Sequence, residues 1–310
     1  MGVSMVADNM NEHKQHIPVM DRTVQHMLDL KEGDIVLDGT LGMGGHASSS
    51  AQRIGSSGRL IGLDRDRQAL EIAAENLAVC PCRKDLRHSD FRYLDEVLDE
   101  LHIPAVDAIL LDLGVSSVQL DDAARGFSFR ENGPLDMRMD REHFISAYDL
   151  VNSLSERELS TILQKYGEER FHDRIAHFVI EQRSRHPIET TRELGELVAR
   201  AIPGRGRRYK IHPATRTFQA LRIAVNRELE SLDIALEKGL QRLKTRGRMC
   251  VIAFHSLEDR IVKHTFRKWA KEGQVQLLTK KPLRPDDQEI SENKRARSAR
   301  VRCIERKASF

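Results

Sequence analysis

Cysteine is scarce in this 310-residue chain: Cys80, Cys82, Cys250 and Cys303 are its only four. They are too few and too scattered for a disulfide framework, and Cys80-Pro81-Cys82 lacks the two-residue spacer of a metal-binding pair. All four read as free thiols, and no structural metal is expected. The histidines show no H-E-x-x-H spacing either. No apolar run is long enough to cross a bilayer, and residues 1–20 lack the apolar core of a signal peptide, so no membrane partner is expected and a cytoplasmic location is the default. A dominant charge is missing as well. Fifty Lys and Arg stand against 47 Asp and Glu, a formal net charge of +3, and this bulk balance announces no nucleic-acid partner. What remains is ordinary for a soluble protein with a sizeable core: 40% hydrophobic and 31% charged residues, enough for two domains or one large one. No internal repeat and no long low-complexity segment interrupts it.

Between residues 17 and 117 short apolar runs alternate with helix-compatible stretches. Strands are expected at 34–37, 60–63 and 108–111, and helices at 21–28, 46–53, 67–77 and 94–101. That alternation specifies a parallel sheet covered on both faces, and such sheets bind ligands beyond the carboxyl ends of their strands. Asp38, Asp64 and Asp112 each stand at such an end. The alternation stops after Leu120. Capping boxes at Ser155-x-x-Glu158 and Thr190-x-x-Glu193 start helices expected to reach about Tyr166 and Ala201, with another helix over 173–184 ahead of Pro187. Residues 121–216 thus read as a helical insertion. Residues 217–243 form one amphipathic stretch or a pair of helices, with a face suited to a homodimer. Apolar residues 248–254 resume the sheet, and 298–306 can close it.

The most informative stretch is Ile35-Val36-Leu37-Asp38-Gly39-Thr40-Leu41-Gly42-Met43-Gly44-Gly45-His46. A strand runs into a glycine loop and then a helix start, where unpaired N–H groups face any ligand. Asp64, ending the next strand, can accept hydrogen bonds from both hydroxyls of a ribose. The loop formally fits the dinucleotide pattern G-x-G-x-x-A, but Asp38 opposes a pyrophosphate with like charge. S-adenosylmethionine carries an ammonium and a sulfonium, which an acid attracts, so the loop reads as a methyl-donor site. An NAD-dependent oxidoreductase and a glycine turn without ligand are the competing readings.

Leu110-Leu111-Asp112-Leu113-Gly114-Val115-Ser116-Ser117 leaves the third strand. A carboxylate there can accept an N–H of an exocyclic amine and draw its nitrogen into line with a methyl carbon, or it can simply contact the cofactor or cap the turn. His255, in Phe254-His255-Ser256-Leu257-Glu258, suits a proton shuttle but equally a hydrogen-bonded structural role. Basic residues gather twice. Arg205, Arg207, Arg208, Lys210 and Arg216 surround Tyr209 in an acid-free loop. Lys294, Arg295, Arg297, Arg300, Arg302, Arg306 and Lys307 crowd the tail with Glu305 as the one acid among them. Two such clusters point to nucleic acid.

These residues resemble the bacterial 16S ribosomal RNA (cytosine-N4) methyltransferases of the small-subunit decoding region. The likeness runs almost from end to end. It is carried by His16-Ile17-Pro18-Val19-Met20, the Asp38–His46 loop, Leu63-Asp64-Arg65-Asp66, the Asp112 turn with Gln119-Leu120-Asp121, stretches 125–129, 133–140 and 254–263, Tyr166-Gly167-Glu168-Glu169-Arg170, His212-Pro213-Ala214-Thr215-Arg216 continuing to Arg222, and Arg295-Ala296-Arg297-Ser298. Ala253 and Lys294 depart from the family pattern, which more often has serine and proline there. The resemblance implies an α/β fold, a class I S-adenosylmethionine-dependent methyltransferase with a mostly parallel, Rossmann-like sheet and an inserted α-helical domain. Residues 1–120 and 217–310 would form the core and 121–216 the substrate-recognition insertion. It implies cofactor contacts at Gly44, Gly45, His46, Asp64, Phe91, Asp112 and Gln119, with Phe91 near the adenine. The expected activity is methyl transfer to N4 of a cytidine in 16S ribosomal RNA, with Asp112 as the catalytic candidate and the small ribosomal subunit as partner. A non-catalytic RNA-binding assembly factor on the same fold is the main alternative.

Overall fold

The computed structural model of the chain describes residues 18–203 and 212–308. The first part alternates as α1 (Asp21–Leu28), β1 (Ile35–Asp38), α2 (Gly45–Ile54), β2 (Arg59–Asp64), α3 (Arg67–Asn76), β3 (Arg83–His88), α4 (Leu94–Glu100), β4 (Val106–Asp112) and the short α5 (Ser117–Asp121). A helical run follows: α6 (Ala147–Ser153), α7 (Glu156–Gly167), α8 (His172–Arg183), α9 (Thr191–Ala201) and α10 (Thr215–Asn226). Then come α11 (Glu228–Arg242), β5 (Leu243–Ala253), α12 (Ser256–Lys271), β6 (Val275–Leu277), α13 (Asp287–Glu292) and β7 (Arg300–Arg306).

The seven strands make one sheet in the order β3-β2-β1-β4-β5-β7-β6. Pairing is parallel from β3 through β5, and β7 runs antiparallel to both β5 and β6. This mostly parallel sheet, with the chain order reversing between β1 and β4, is the class I methyltransferase architecture expected above. Central strands are apolar on both faces because helices cover both. Val36, Leu60, Ala108, Leu110 and Ile252 pack toward α1, α2 and α3. Leu37, Ile61, Ile109, Leu111 and Val251 pack toward α4, α11 and α12, with Trp269 and Phe266 in that layer.

Two strands escaped the sequence reading for a physical reason. The β3 sequence Arg83-Lys84-Asp85-Leu86-Arg87-His88 has no fully buried residue and forms the sheet's outer edge, where charge discourages pairing with another chain. Its strand character comes from a six-residue register with β2. The other, β6, has three residues and closes the far edge. Both expected capping boxes are present, Ser155 with Glu158 and Thr190 with Glu193.

The inserted helices bury their own core. Leu135, Val151, Leu159, Leu163, Ile175, Val179, Leu194, Val198, Phe218, Leu221 and Val225 share it. So α10 packs with the insertion, and the expected boundary at 217 falls within its first turn. The 217–243 stretch proves to be two helices, separated where Arg227 takes a left-handed φ of 50°. The second of them, α11, lays Leu232, Leu236 and Leu240 on the sheet. The apolar faces expected to serve a dimer are therefore spent inside the chain.

One buried ion pair ties the insertion to the sheet. Arg125, 1% exposed, donates from Nη1 to Asp66 Oδ2 at 2.7 Å and from Nη2 to the carbonyls of Arg138 and Met139 at 3.0 Å each. Breaking a buried pair strands its partner's charge at a cost of several kcal/mol. Arg125→Met is expected to lower stability by about 3 kcal/mol in urea titrations. The double variant Arg125→Met/Asp66→Leu should recover part of the loss; a single variant as stable as the parent contradicts this role for the pair.

Candidate active site

Strands β1, β2 and β4 end side by side, at Asp38, Asp64 and Asp112, and a cavity of about 870 Å³ opens over all three. Of the residues expected to hold a cofactor, Gly45, His46, Asp64, Phe91, Asp112 and Gln119 line it. Gly44 does not. It caps the helix behind the wall with a φ of 85°, and a Cβ there would press on Leu77 at 3.2 Å. At Gly39 a Cβ would overlap Leu111 Cδ2 at 2.6 Å and approach Phe91 Cβ at 3.1 Å, so a side chain there would require Leu111 and Phe91 to shift.

The acids are bound to the backbone that surrounds them. Gly42 N–H donates to Asp64 Oδ2 at 2.7 Å, and Asp66 N–H donates to Asp64 Oδ1 at 2.8 Å. Asp112 donates its own N–H to Thr40 Oγ1 at 2.6 Å and accepts from Gly114 N–H at 3.3 Å. Asp38 accepts from Thr40 N–H at 3.0 Å. Asp38 is 2% exposed. Burial pushes its carboxyl up to about 6; Asp112 and Asp64 add to the rise, while His46 and the Thr40 N–H oppose it. Burial also raises Asp64. The cleft thus holds desolvated negative charge that a cation would stabilise.

His46, whose imidazole the sequence left without a role, stands between Asp21 and Asp112. Burial alone would depress it, but the two carboxylates outweigh that and push it up to about 10. Gln119 faces the cavity with its amide already committed. It accepts from Ser116 N–H at 3.1 Å and donates to Asp66 Oδ2 at 2.9 Å. The Phe91 ring has the Arg65 guanidinium 5.8 Å from its centroid.

The cavity's far end is built by Leu232, Phe254, Arg222, Glu228 and Glu258. Arg222 grips Glu228 through two hydrogen bonds of 2.9 and 2.8 Å. His255 is the N-cap of α12: its Nδ1 accepts from Glu258 N–H at 3.3 Å, and Glu258 Oε2 accepts from Phe254 N–H at 2.7 Å. Its ring thus makes the hydrogen bond expected of a structural histidine. Glu228, His255 and Glu258 lie close enough to share an ion, but the Arg222 guanidinium already serves as the counter-charge of Glu228.

Arg130, Lys294, Arg295 and Arg297, all exposed, also line the cavity. The tail cluster is less free than its composition suggests. Arg302 and Arg300 pair with Asp259, Arg306 bonds the carbonyls of Gln241 and Leu243, and Arg295 pairs with Asp121. Glu305 is therefore not the tail's sole opposing acid. Of the first cluster, Arg205, Arg207, Arg208, Tyr209 and Lys210 lie outside the described residues, and Arg216 donates to the Glu168 carbonyl at 3.1 Å. Asp21 and Glu228 were missed in the sequence. Asp66, Arg125 and Arg222 stood in stretches that carry the resemblance but were given no role there; Asp66 also carried a local signal, as an N-cap acid two residues beyond Asp64.

Residues 13–307 match the profile of a family described as the MraW methylase family. The chain is 50% identical over 306 residues to the ribosomal RNA small subunit methyltransferase H of Geotalea uraniireducens, covering 94% of this chain and 98% of that one. It is 47% identical over 308 residues to the protein of the same name from Pelobacter propionicus, with coverage of 94% and 98%.

The raised Asp38 makes a linkage prediction. Its value in the fold, about 6, lies above the 3.8 of an unperturbed carboxyl. Its contribution therefore favours folding below pH 4 and is lost as pH rises through 6. Asp38→Asn, which keeps the acceptor for Thr40 but cannot ionise, is expected to stabilise the ligand-free protein by about 3 kcal/mol above pH 7 and to change little at pH 4. Denaturant titrations across that range test it; a difference independent of pH contradicts it.

Proposed function

The chain belongs to the MraW methylase family, and from that premise we propose that it transfers the methyl group of S-adenosylmethionine to N4 of a cytidine in the 16S RNA of the small ribosomal subunit. The observation that carries this reading is the meeting of three strand-end acids, one of them fully buried, on one cavity beside a glycine loop. Such a cleft suits a ligand of positive charge and opposes a pyrophosphate, which disfavours the oxidoreductase alternative. When bound, the donor supplies an electrophilic methyl on a positively charged sulfur.

The chain's own residues then divide the work. Asp64 and the Gly42–His46 loop receive the nucleoside and amino-acid parts of the donor, and Phe91 forms the wall for the adenine. Gln119 holds the Asp112 turn against Asp66. A carboxylate oxygen of Asp112 accepts one N–H of the cytosine amine, turning the nitrogen lone pair toward the methyl carbon. As the N–C bond forms and the S–C bond breaks, one N4 proton must leave, and Asp112 is placed to take it or to pass it to water. Most of the rate comes from this alignment. The target base must leave its stack to arrive. Arg130, Lys294 and Arg297 beside the cavity, the basic residues that the sequence gathers between 204 and 216, and the helical unit would hold the RNA around it, chiefly by its phosphates.

Two measurements test this. Methyl-labelled donor and small ribosomal subunits should give label in N4-methylcytidine after digestion; label elsewhere, or none, refutes the reading. Asp112→Ala should lower turnover by about 10²-fold while RNA affinity stays within about twofold. A non-catalytic assembly factor would have no turnover to lose.

A further inference from the structure

Asp21 stands in the first turn of α1, on the far side of His46 from the strand ends, and has no part in the roles above. His46 is 6% exposed and is held between two acids from different elements. Its Nδ1 lies 3.1 Å from Asp21 Oδ1, and its Nε2 lies 3.6 Å from Asp112 Oδ2 with no hydrogen-bond partner of its own. Asp21 is itself anchored: Ser49 Oγ donates to its Oδ2 at 2.7 Å, and Gln25 Nε2 donates to its Oδ1 at 3.3 Å. A neutral imidazole has one N–H and one lone pair. Between two carboxylates it would satisfy one and aim its lone pair at the other. Only the imidazolium presents an N–H to both.

We propose that Asp21 is a positioning residue for methyl transfer, fixing the Asp112 carboxylate toward the substrate amine through a protonated His46. The proposal rests on the role given to Asp112 above. The ionisable groups facing His46 are Asp21 from α1, Asp112 from β4 and Asp38 from β1; Asp64 lies behind Asp38, and Cys250 of β5 lies near Asp112. Four of these five are carboxyls, and His46 is the one cation among them. The pair of flanking acids holds its proton to about pH 10 although burial opposes it. The acceptor is therefore oriented before any RNA arrives, which is where an enzyme gains from fixed charge.

The test uses the full chain and Asp21→Asn, which keeps the side-chain volume and removes the charge, with Asp21→Glu as the conservative rescue. In ligand-free protein, NMR titration of the His46 ring should show it protonated beyond pH 9 in the parent. In Asp21→Asn it should titrate at least one pH unit lower. In assays on small subunits, Asp21→Asn should lower kcat about tenfold with KM for donor and RNA within about twofold. Its pH profile should gain an alkaline fall at the shifted His46 value, and Asp21→Glu should restore much of the parent's behaviour. Should Asp21→Asn fail to fold, Ser49→Ala, which removes one anchor of Asp21, should move both readouts the same way by less. A parent His46 that titrates near its ordinary value overturns the proposal. So does an Asp21→Asn enzyme with the parent's kcat and pH profile, or one whose loss lies in donor binding alone. If the parent itself places no label on cytidine, the reaction assignment fails first and the positioning claim falls with it; the His46 titration then reports only the charge state.

Discussion

Everything at this site follows from setting three carboxylates along one sheet edge, Asp38 buried and Asp64 and Asp112 half-buried beside it. A parallel sheet brings the carboxyl ends of β1, β2 and β4 to one edge, and the chain puts Asp38, Asp64 and Asp112 there. An isolated buried carboxylate is costly, and Asp38 shows the strain in its raised value. Backbone N–H groups of Gly42, Thr40, Asp66 and Gly114 relieve part of it, and the His46 imidazolium relieves another part. The remainder is negative potential directed into the cavity. Stability given up in the empty protein becomes attraction for a positively charged donor. The same field disfavours a phosphate-bearing nucleotide on a loop whose glycine spacing would otherwise admit one.

The insertion is coupled to this edge by the residues immediately after it. Asp64 accepts the Asp66 N–H, Asp66 accepts from Arg125 and Gln119, and Arg125 holds the carbonyls of Arg138 and Met139. Met139 N–H in turn donates to Asn226 Oδ1 at the end of α10. Within a few bonds the chain passes from Asp64 at the cavity to the end of α10. The helical unit has its own core, yet this polar seam sets its place relative to the cavity. Met139, Thr215 and Arg222 from that unit complete the cavity wall, so the seam also shapes the cavity.

The sequence disclosed the parts of this arrangement that depend on local pattern. Apolar runs ending in Asp located β1, β2 and β4, and the capping boxes located α7 and α9. Three things lay beyond local pattern. Strand β3 has the composition of a surface segment and is a strand because β2 pairs with it. Helix α10 belongs to the insertion because Phe218, Leu221 and Val225 pack there, although its amphipathic pattern continues into α11 without an obvious stop. Arg227, which breaks the two, is not a residue type that signals a left-handed turn. At the site, Asp21 and His46 are 25 positions apart, and His46 and Asp112 are 66 apart; only the folded sheet makes them neighbours. The resemblance pointed to His46 as a cofactor residue, but the role of its ring needed the two carboxylates in view.

Charge count was a poor guide to where free positive charge stands for a related reason. A composition near neutrality conceals how cations are used. Arg302 and Arg300 hold Asp259, Arg248 holds Glu305, Arg125 holds Asp66 and Arg222 holds Glu228. Those guanidiniums are structural, since their partners would otherwise be buried or half-buried charges. Arg130, Lys294 and Arg297 instead line the cavity and are exposed, so a phosphate can be met there without breaking an internal pair.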